Sequence, residues 1–519
     1  MSIISCSRFR NFHGGVFNIG LLGAVVSILF YLLVNLYAHF EYVPLNIFFM
    51  DNITQLRRFA SNSFFDNVIA GCYGASGPGC VALKPRPVAY LFMYIGIKMM
   101  GTNTSYAYLY LLFFGALSCL VVYYVAKSIT CNLFCAIAAS AIFAVSRFAY
   151  YAVGDYWGLM ETIALTNGIL VFYYAYRYLI SNEGTETKSF WIMIIFEVLA
   201  ILSHERCLML FFFIYSVVFI KYFFQKKSLV YYIPITVLFV SIILFRFWYL
   251  GNQAMEGTGG EHLTFNLSRI IKFFVEGSTM ILGFAAGEAY LSGVVVEEVK
   301  GLYFILPLCS ICIIYSLFGV IFFQSAEIRR KNKILFLFLS FIVFSLLAGC
   351  ITFRLELRWL YLPYVGYLML VFYLLSQIKQ HTKIRILLIC YLFCSSFYVE
   401  AWYRTHWVYN YLGNQYGIYN QIYDSSIGKY GNAMAQRPLV IVENIDNGTT
   451  VVEHTWMKWI LDYYTDNKNA GLYFYNHFQD IPNEVNYKHP IVIYGEQTAG
   501  NIWQKTFFDV SNIYQKLRD

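Results

Sequence analysis

Leu302-Tyr-Phe-Ile-Leu-Pro-Leu-Cys-Ser-Ile-Cys-Ile-Ile-Tyr-Ser-Leu-Phe-Gly-Val-Ile-Phe-Phe323 carries no charged residue from end to end. A helix rising about 1.5 Å per residue over this stretch crosses the roughly 30 Å hydrocarbon core of a bilayer. Comparable runs recur along the whole chain. Of its 519 residues, 59% are hydrophobic and 13% are charged, against about 25% charged in soluble domains. A bilayer is therefore the solvent for most of this sequence. Aromatic residues make up 20%, with 46 Tyr and 48 Phe, a supply that suits interfacial belts and lipid contact.

Outward from 302–323, the apolar runs predict spans near 16–37, 104–126, 132–150, 158–179, 189–203, 205–224, 229–249, 301–323, 334–351, 359–377 and 384–401, roughly eleven helices. The first run follows Arg8 and Arg10, as a secretory signal would. It is longer than the roughly 7–15 residues of a signal's apolar core, and it reads as a retained anchor. Val88 to Met100 is too short to span. Ile270 to Tyr290 is broken by Lys272, Glu276, Gly283, Gly287 and Glu288, so both stretches are expected to lie along the membrane surface.

With the N-terminus in the cytoplasm and the spans alternating, the inner segments hold Arg8, Arg10, Lys226, Lys227, Arg329, Arg330, Lys331, Lys333, Lys379, Lys383 and Arg385, among other cations. Only Glu183, Glu186 and Glu327 oppose them. That is the positive-inside asymmetry. It accounts for the net charge of +8 without nucleic acid.

After about residue 401 the apolar runs shrink to strand length, at Pro438-Leu-Val-Ile-Val-Glu443 and Pro490-Ile-Val-Ile-Tyr-Gly495, with a helical stretch, Glu453 to Tyr464, between them. The reading is an all-α polytopic membrane region, 1–401, whose first outer loop is 38–103, followed by a small extracytoplasmic α/β domain, 402–519. Trp402, Trp407, Tyr409, Trp456 and Trp459 in or beside that domain are read as either sugar-stacking residues or its core.

Charged residues gather in the loops on the outer side. The first loop holds Asp51, Arg57, Arg58, Lys84 and Arg86. Asp155 and Glu161 precede the fourth span, His204-Glu205-Arg206 joins the fifth and sixth, and Arg354, Glu356 and Arg358 precede the tenth. Ionisable groups at membrane depth are costly and face a cavity or a partner, so several loops converging at one side imply a polar chamber. Cys72 and Cys80, in Gly71-Cys-Tyr-Gly-Ala-Ser-Gly-Pro-Gly-Cys80, form a candidate disulfide if that side is oxidising. No His or Cys spacing reads as a metal site.

Five motifs in order resemble one family. They are Phe49-Met-Asp51-Asn-Ile-Thr54 after the first span, Lys84-Pro-Arg-Pro87, Ala152-Val-Gly-Asp155-Tyr-Trp157, His204-Glu-Arg206 and Arg358-Trp-Leu-Tyr-Leu-Pro363. The layout resembles the GT-C superfamily of polytopic glycosyltransferases, which take sugars from polyprenyl-phosphate carriers. Within it, the chain is most similar to serotype-converting O-antigen glucosyltransferases.

The resemblance implies an inverting hexosyltransferase of the bacterial inner membrane. It would move a sugar, glucose by this resemblance, from undecaprenyl phosphate to a surface polysaccharide such as lipopolysaccharide O-antigen on the periplasmic face. Its partners would be the lipid-linked donor, the polysaccharide acceptor and membrane lipids. Asp51, with Asp155 as the second acidic loop, would be catalytic. Attack by an acceptor hydroxyl needs a carboxylate base within hydrogen-bond reach. Lys84, Arg86, His204, Glu205, Arg206 and Arg358 would bind donor phosphate and substrate, since cations must stabilise charge growing on a phosphate leaving group.

Asp51 is followed by Asn52 where relatives carry a second acid, and Glu205 stands where lysine is usual. No cofactor is required by these residues, and use of a divalent cation stays an open alternative. An O-antigen polymerase and a polyprenyl-linked saccharide transporter or flippase are the alternative functions. The second would need broken helices and related halves, and neither is evident.

Overall fold

The computed structural model describes residues 15–42, 86–101, 103–149, 158–181, 185–223, 228–251, 265–284, 301–323, 328–352, 355–378, 382–404, 410–443, 454–465, 471–497 and 505–518, and residues 53, 64, 68, 154, 156, 225 and 452 singly. The chain divides into two compact units. One is built from Met1–Leu36, Phe64–Met93 and Tyr110–Val408, the other from Tyr37–Ser63, Tyr94–Leu109 and Tyr409–Asp519.

The protein is a mostly helical, multi-pass membrane protein. Its helices are α1 (Gly15–Tyr42), α2 (Pro87–Met100), α3 (Thr104–Thr130), α4 (Leu133–Val145), α5 (Gly158–Ile180), α6 (Glu186–Ile201), α7 (Leu210–Tyr222), α8 (Leu229–Leu250), α9 (Leu267–Ile281), α10 (Leu302–Phe323), α11 (Ile328–Cys350), α12 (Tyr361–Ser376) and α13 (Thr382–Tyr403). Among the described residues, seven segments are long and apolar enough to cross a membrane: Ile19–Ala38, Ser105–Thr130, Leu229–Trp248, Leu302–Phe323, Asn332–Cys350, Leu357–Ser376 and Thr382–Tyr403.

A helix lies at each of the expected spans, but α4, α6 and α7, at 13, 16 and 13 residues, are shorter than a full crossing. α4 shows why. Asn132 caps it by accepting from the Cys135 N–H at 3.1 Å, and Ser146 turns extended after Val145. The expected 132–150 helix thus stops five residues early.

Burial separates two kinds of apolar helix. Only 17% of the α10 window and 11% of the α8 window are buried inside the protein, whereas 89% of the Leu357–Ser376 window is buried. A helix apolar all round and covered by no protein needs hydrocarbon as its neighbour. α12 is the central helix, packed on α11, α4 and α5. At Gly366, an added Cβ would come within 2.7 Å of the Phe341 ring on α11.

α1, α3 and α4 approach through small residues, as membrane helices do where no hydrophobic force separates them from lipid. Ser140 donates to Ser27 at 2.8 Å and the Tyr123 hydroxyl donates to the Gly20 carbonyl at 2.8 Å. A Cβ at Gly115 would sit 1.8 Å from the Tyr31 hydroxyl, and Tyr31 is buried, with no room to retreat. Gly115→Ala is expected to destabilise by about 1–3 kcal/mol through overpacking. The check is a lowered melting midpoint in detergent with helix content retained.

At one end of this unit a buried network ties α1, α4 and α13. Glu400 accepts from the Arg147 backbone N–H at 2.9 Å and lies 3.8 Å from its Nε. The Arg147 guanidinium stacks 4.0 Å from the Tyr403 ring centre. Arg404 donates to the Ala144 carbonyl at 2.8 Å and to Asn35. Arg404 thus closes the open carbonyl end of α4, where positive charge is favoured, while the Arg147 guanidinium donates to the Met280 carbonyl.

The second unit contains a four-stranded sheet in the order β2-β1-β3-β4. Its strands are β1 (Leu439–Val442), β2 (Leu472–Tyr475), β3 (Ile491–Gln497) and β4 (Lys505–Asp509). β1 pairs parallel with β2 and β3, and β4 is antiparallel to β3. Val440, Val442 and Val492 face a core with Ile481, Val485 and Val510. On the opposite face the His454 ring stacks on Phe474 at 3.6 Å, so helix α15 (His454–Tyr464), which follows α14 (Asn410–Ser425), covers that side. Lys505 and Glu443 form a buried pair at 3.3 Å.

Candidate active site

Charged residues from separate loops converge at the starts of α2, α5, α7 and α12, all within the larger unit. The turn from α6 into α7 sets the centre. Ser203 and His204 leave the helix, and a 3-10 turn, Glu205–Met209, leads into α7. The Val88 N–H donates to the Leu202 carbonyl at 3.2 Å, which fastens the start of α2 to this turn and sets Arg86 beside it. Arg86 grips Glu205 with two parallel bonds, Nε to Oε2 and Nη2 to Oε1, each 2.7 Å. That fork geometry suits guanidinium and carboxylate. Burial works against the Arg86 charge, but Glu205 beside it more than offsets this and raises its pKa.

Glu161, in the first turn of α5, is the hub. Its Oε1 accepts from Arg206, lies 3.4 Å from His204 Nε2 and 3.9 Å from Arg358 Nε. Arg358 is also paired with Glu356, and the Arg206 guanidinium rests 4.5 Å from the centre of the Trp359 ring. Leu357–Leu360 is a 3-10 turn leading into α12, so Arg358 and Trp359 enter from the helix that anchors the whole bundle. Each arginine has its own carboxylate: Arg86 with Glu205, Arg206 with Glu161 and Arg358 with Glu356.

Glu161, His204, Arg206, Arg358 and Trp359 line a cavity of about 50 Å³. It is roomy enough for a few waters and too small for a sugar ring. Arg206 Nη1 is buried there without a hydrogen-bond partner. Among the described residues, no group of three His, Cys, Asp or Glu side chains is arranged to hold a metal.

His204 is held neutral. Burial first, then the Arg206 and Arg86 charges, pull its pKa down to about 4 from an ordinary value near 6.5. Arg206 brings two donors to the ring, Nη2 at 2.9 Å from Nε2 and its backbone N–H at 3.3 Å from Nδ1, and the tautomer decides which of them the one acceptor nitrogen of the neutral ring receives. Because the folded-state pKa is depressed, this contribution to stability is complete above about pH 6.5 and is lost as pH falls toward 4. On the order of 2–3 kcal/mol is at stake. Thermal melts between pH 7 and pH 4 should show a drop that His204→Gln flattens.

Of the residues expected in the site, the structure brings together Arg86, His204, Glu205, Arg206 and Arg358. Asp51, Lys84, Asp155, Cys72 and Cys80 lie outside the described residues. Sequence reasoning placed Glu161 and Glu356 among the outer charges without giving either a role.

It also passed over Arg246. α7 and α8 run antiparallel in a register marked by Tyr222 against Tyr231 at 5.6 Å, Tyr215 to Thr236 at 2.8 Å and Phe211 against Phe239 at 5.3 Å. Continued upward, that register brings Arg246 level with Glu205, and its guanidinium is within electrostatic reach of Glu205 and Arg86. A lone arginine near the end of an apolar span reads as an interfacial anchor. Only the partner helix reveals which way it faces.

No family model matches the chain, and no curated protein sequence does. Solved structures with a similar course include ArnT from Cupriavidus metallidurans in the apo state, at 11% identity over 94% of this chain and 98% of that one, with a TM-score of 0.46. The same protein bound to undecaprenyl phosphate gives 10% identity over 93% and 97%, with a TM-score of 0.46. An apo oligosaccharyltransferase from Archaeoglobus fulgidus gives 10% over 92% of this chain and 69% of that one, with a TM-score of 0.47.

Proposed function

We propose that the protein is an inverting hexosyltransferase that moves a sugar, glucose, from an undecaprenyl-phosphate carrier to a surface polysaccharide such as O-antigen. In this reading it sits in the bacterial inner membrane with its N-terminus cytoplasmic and its C-terminal domain periplasmic. The observation that carries the reading is the gathering of Arg86, Arg206 and Arg358 at one end of the helices. Each is held in place by a carboxylate, beside a cavity where an arginine N–H remains unspent.

A guanidinium has five donors, so an arginine fixed by one carboxylate still offers N–H groups to a phosphate. Pre-positioned donors cost no reorganisation when charge develops on the leaving phosphate. Three arginines against Glu161, Glu205 and Glu356, with His204 neutral, leave this part of the site balanced. Lys84, just before Arg86 in sequence, and Arg246, beside Glu205, add positive charge for a phosphate. Asp51 takes the acceptor hydroxyl's proton as that oxygen attacks the anomeric carbon. The bond to the lipid phosphate breaks on the opposite face, which inverts the configuration. Asp155 is the second acidic group of the same loop system.

The test is transfer by purified protein in nanodiscs supplied with undecaprenyl-phosphate-linked radiolabelled glucose and O-antigen-bearing lipopolysaccharide. Label appearing on the polysaccharide in the inverted linkage is expected. Folded protein that transfers none, from glucose or any other hexose donor, would refute the reading.

A further inference from the structure

In the second unit, β1 and β2 end at one edge of the sheet, while β3 runs on beside β4 to Gln497. β1 stops at Val442, β2 stops at Tyr475, and Val442 is in register with both Tyr475 and Tyr494. From β1 the chain crosses to β2 on one side of the sheet and then returns past β1 to β3 on the other. The helical segment at His454 covers one face, while Ile481, Val485 and Val510 cover the other. Connections that leave a central strand in opposite directions open a crevice beyond the carboxyl ends of the strands, and ligands of open α/β sheets bind in such crevices. A cavity of about 430 Å³ lies there, lined by Val442, Asn476, His477, Phe478, Gln479 and Tyr494. That size falls in the range of small-ligand sites.

The lining decides the chemistry of the occupant. Among the described residues it has no carboxylate, lysine or arginine. Of the charges close by in sequence, Asp480 accepts from the His477 N–H at 3.0 Å, and Lys505 donates to the Glu443 carboxylate and to its main-chain carbonyl, 3.3 Å and 3.1 Å away. Phe478 stacks on Tyr494 at 5.1 Å and on Tyr514 at 5.6 Å, and Tyr494 meets the Phe508 ring edge-on at 5.6 Å. Phe478 and Tyr494 are both half-buried, so the part of these rings that borders the cavity is what they offer an occupant. Asn476 and Gln479 are exposed, and their amides each offer donors and an acceptor. An aromatic surface flanked by uncharged amides suits a ring with apolar C–H faces and hydroxyl edges. It does not suit a phosphate or a nucleotide, which needs cations.

We infer that this crevice is a binding site for a neutral saccharide. The site stands on the sheet geometry and its lining, independently of the transfer reaction, so either can fail without the other. Trp456, read as either a sugar-stacking or a core residue, packs against Tyr419 at 6.3 Å, and the aromatic residues at the cavity are Phe478 and Tyr494.

The test uses the full chain in nanodiscs on an array of neutral and acidic bacterial glycans, with the variant Asn476→Ala/Gln479→Ala. Both positions are exposed, and an unchanged melting midpoint will show that the variant is folded. At least one neutral glycan retained by the parent and bound 10-fold or more weakly by the variant is the expected result. A parent that retains no neutral glycan, or a folded variant that binds as the parent does, overturns the inference.

Discussion

Glu161→Gln should cost the protein both stability and transfer, with the larger effect on transfer. The glutamine keeps the side chain's shape but removes the charge that faces Arg206, His204 and Arg358. Both arginine side chains are about 15% exposed or less, so water cannot replace what is lost. Removing one partner of a buried ion pair costs about 3–5 kcal/mol. Part of this is recovered here because Arg358 keeps Glu356, so a loss of about 2–3 kcal/mol is expected. With Arg206 free to swing off Trp359, transfer should fall by about 100-fold or more, since misplacing a binding group by an ångström has that consequence. Glu161→Asp restores the charge on a shorter stem and should recover part of the melting midpoint. A Gln variant that melts and transfers as the parent does would show that Glu161 is not the hub.

Asp51→Asn should abolish transfer while leaving abundance and melting unchanged. General base catalysis contributes typically 10²–10⁴-fold, and asparagine cannot take the proton. Residue 51 lies outside the described residues, and the expectation rests on its place after the first span. The contrast with Glu161 is diagnostic. One change should lower stability and rate together, the other the rate alone. Retained transfer in Asp51→Asn would remove this carboxylate from the mechanism.

How far the sequence could be read depended on whether each feature is local. Uninterrupted apolar runs such as 302–323 announce themselves through composition, and a helix lies at each expected span. Their ends are set by single contacts that periodicity does not report. α4 stops at Val145 because Ser146 turns and Arg147 goes to Glu400, a partner more than two hundred residues away. The strands β1 and β3 were visible as β-branched runs after Pro438 and Pro490. β2, Leu-Tyr-Phe-Tyr, and β4, Lys-Thr-Phe-Phe-Asp, are short and aromatic, and they were passed over. In the site, the clustering of Arg86, Arg206 and Arg358 followed from which loops share a side. Their pairings did not, because Arg86 meets Glu205 across 119 positions of chain. Nor did the direction of Arg246, which only the packing of α8 on α7 determines.

The central claim is that this end of the bundle recognises a lipid by its phosphate. The most direct measurement is equilibrium binding of undecaprenyl phosphate and of uncharged undecaprenol to the protein in nanodiscs, with Arg206→Gln and Arg358→Gln alongside. The phosphate should bind at least about 10-fold more tightly than the alcohol, the equivalent of one charge-assisted bond, and each substitution should erode that preference. Equal affinity for the two lipids, or a preference that both variants keep intact, would contradict it.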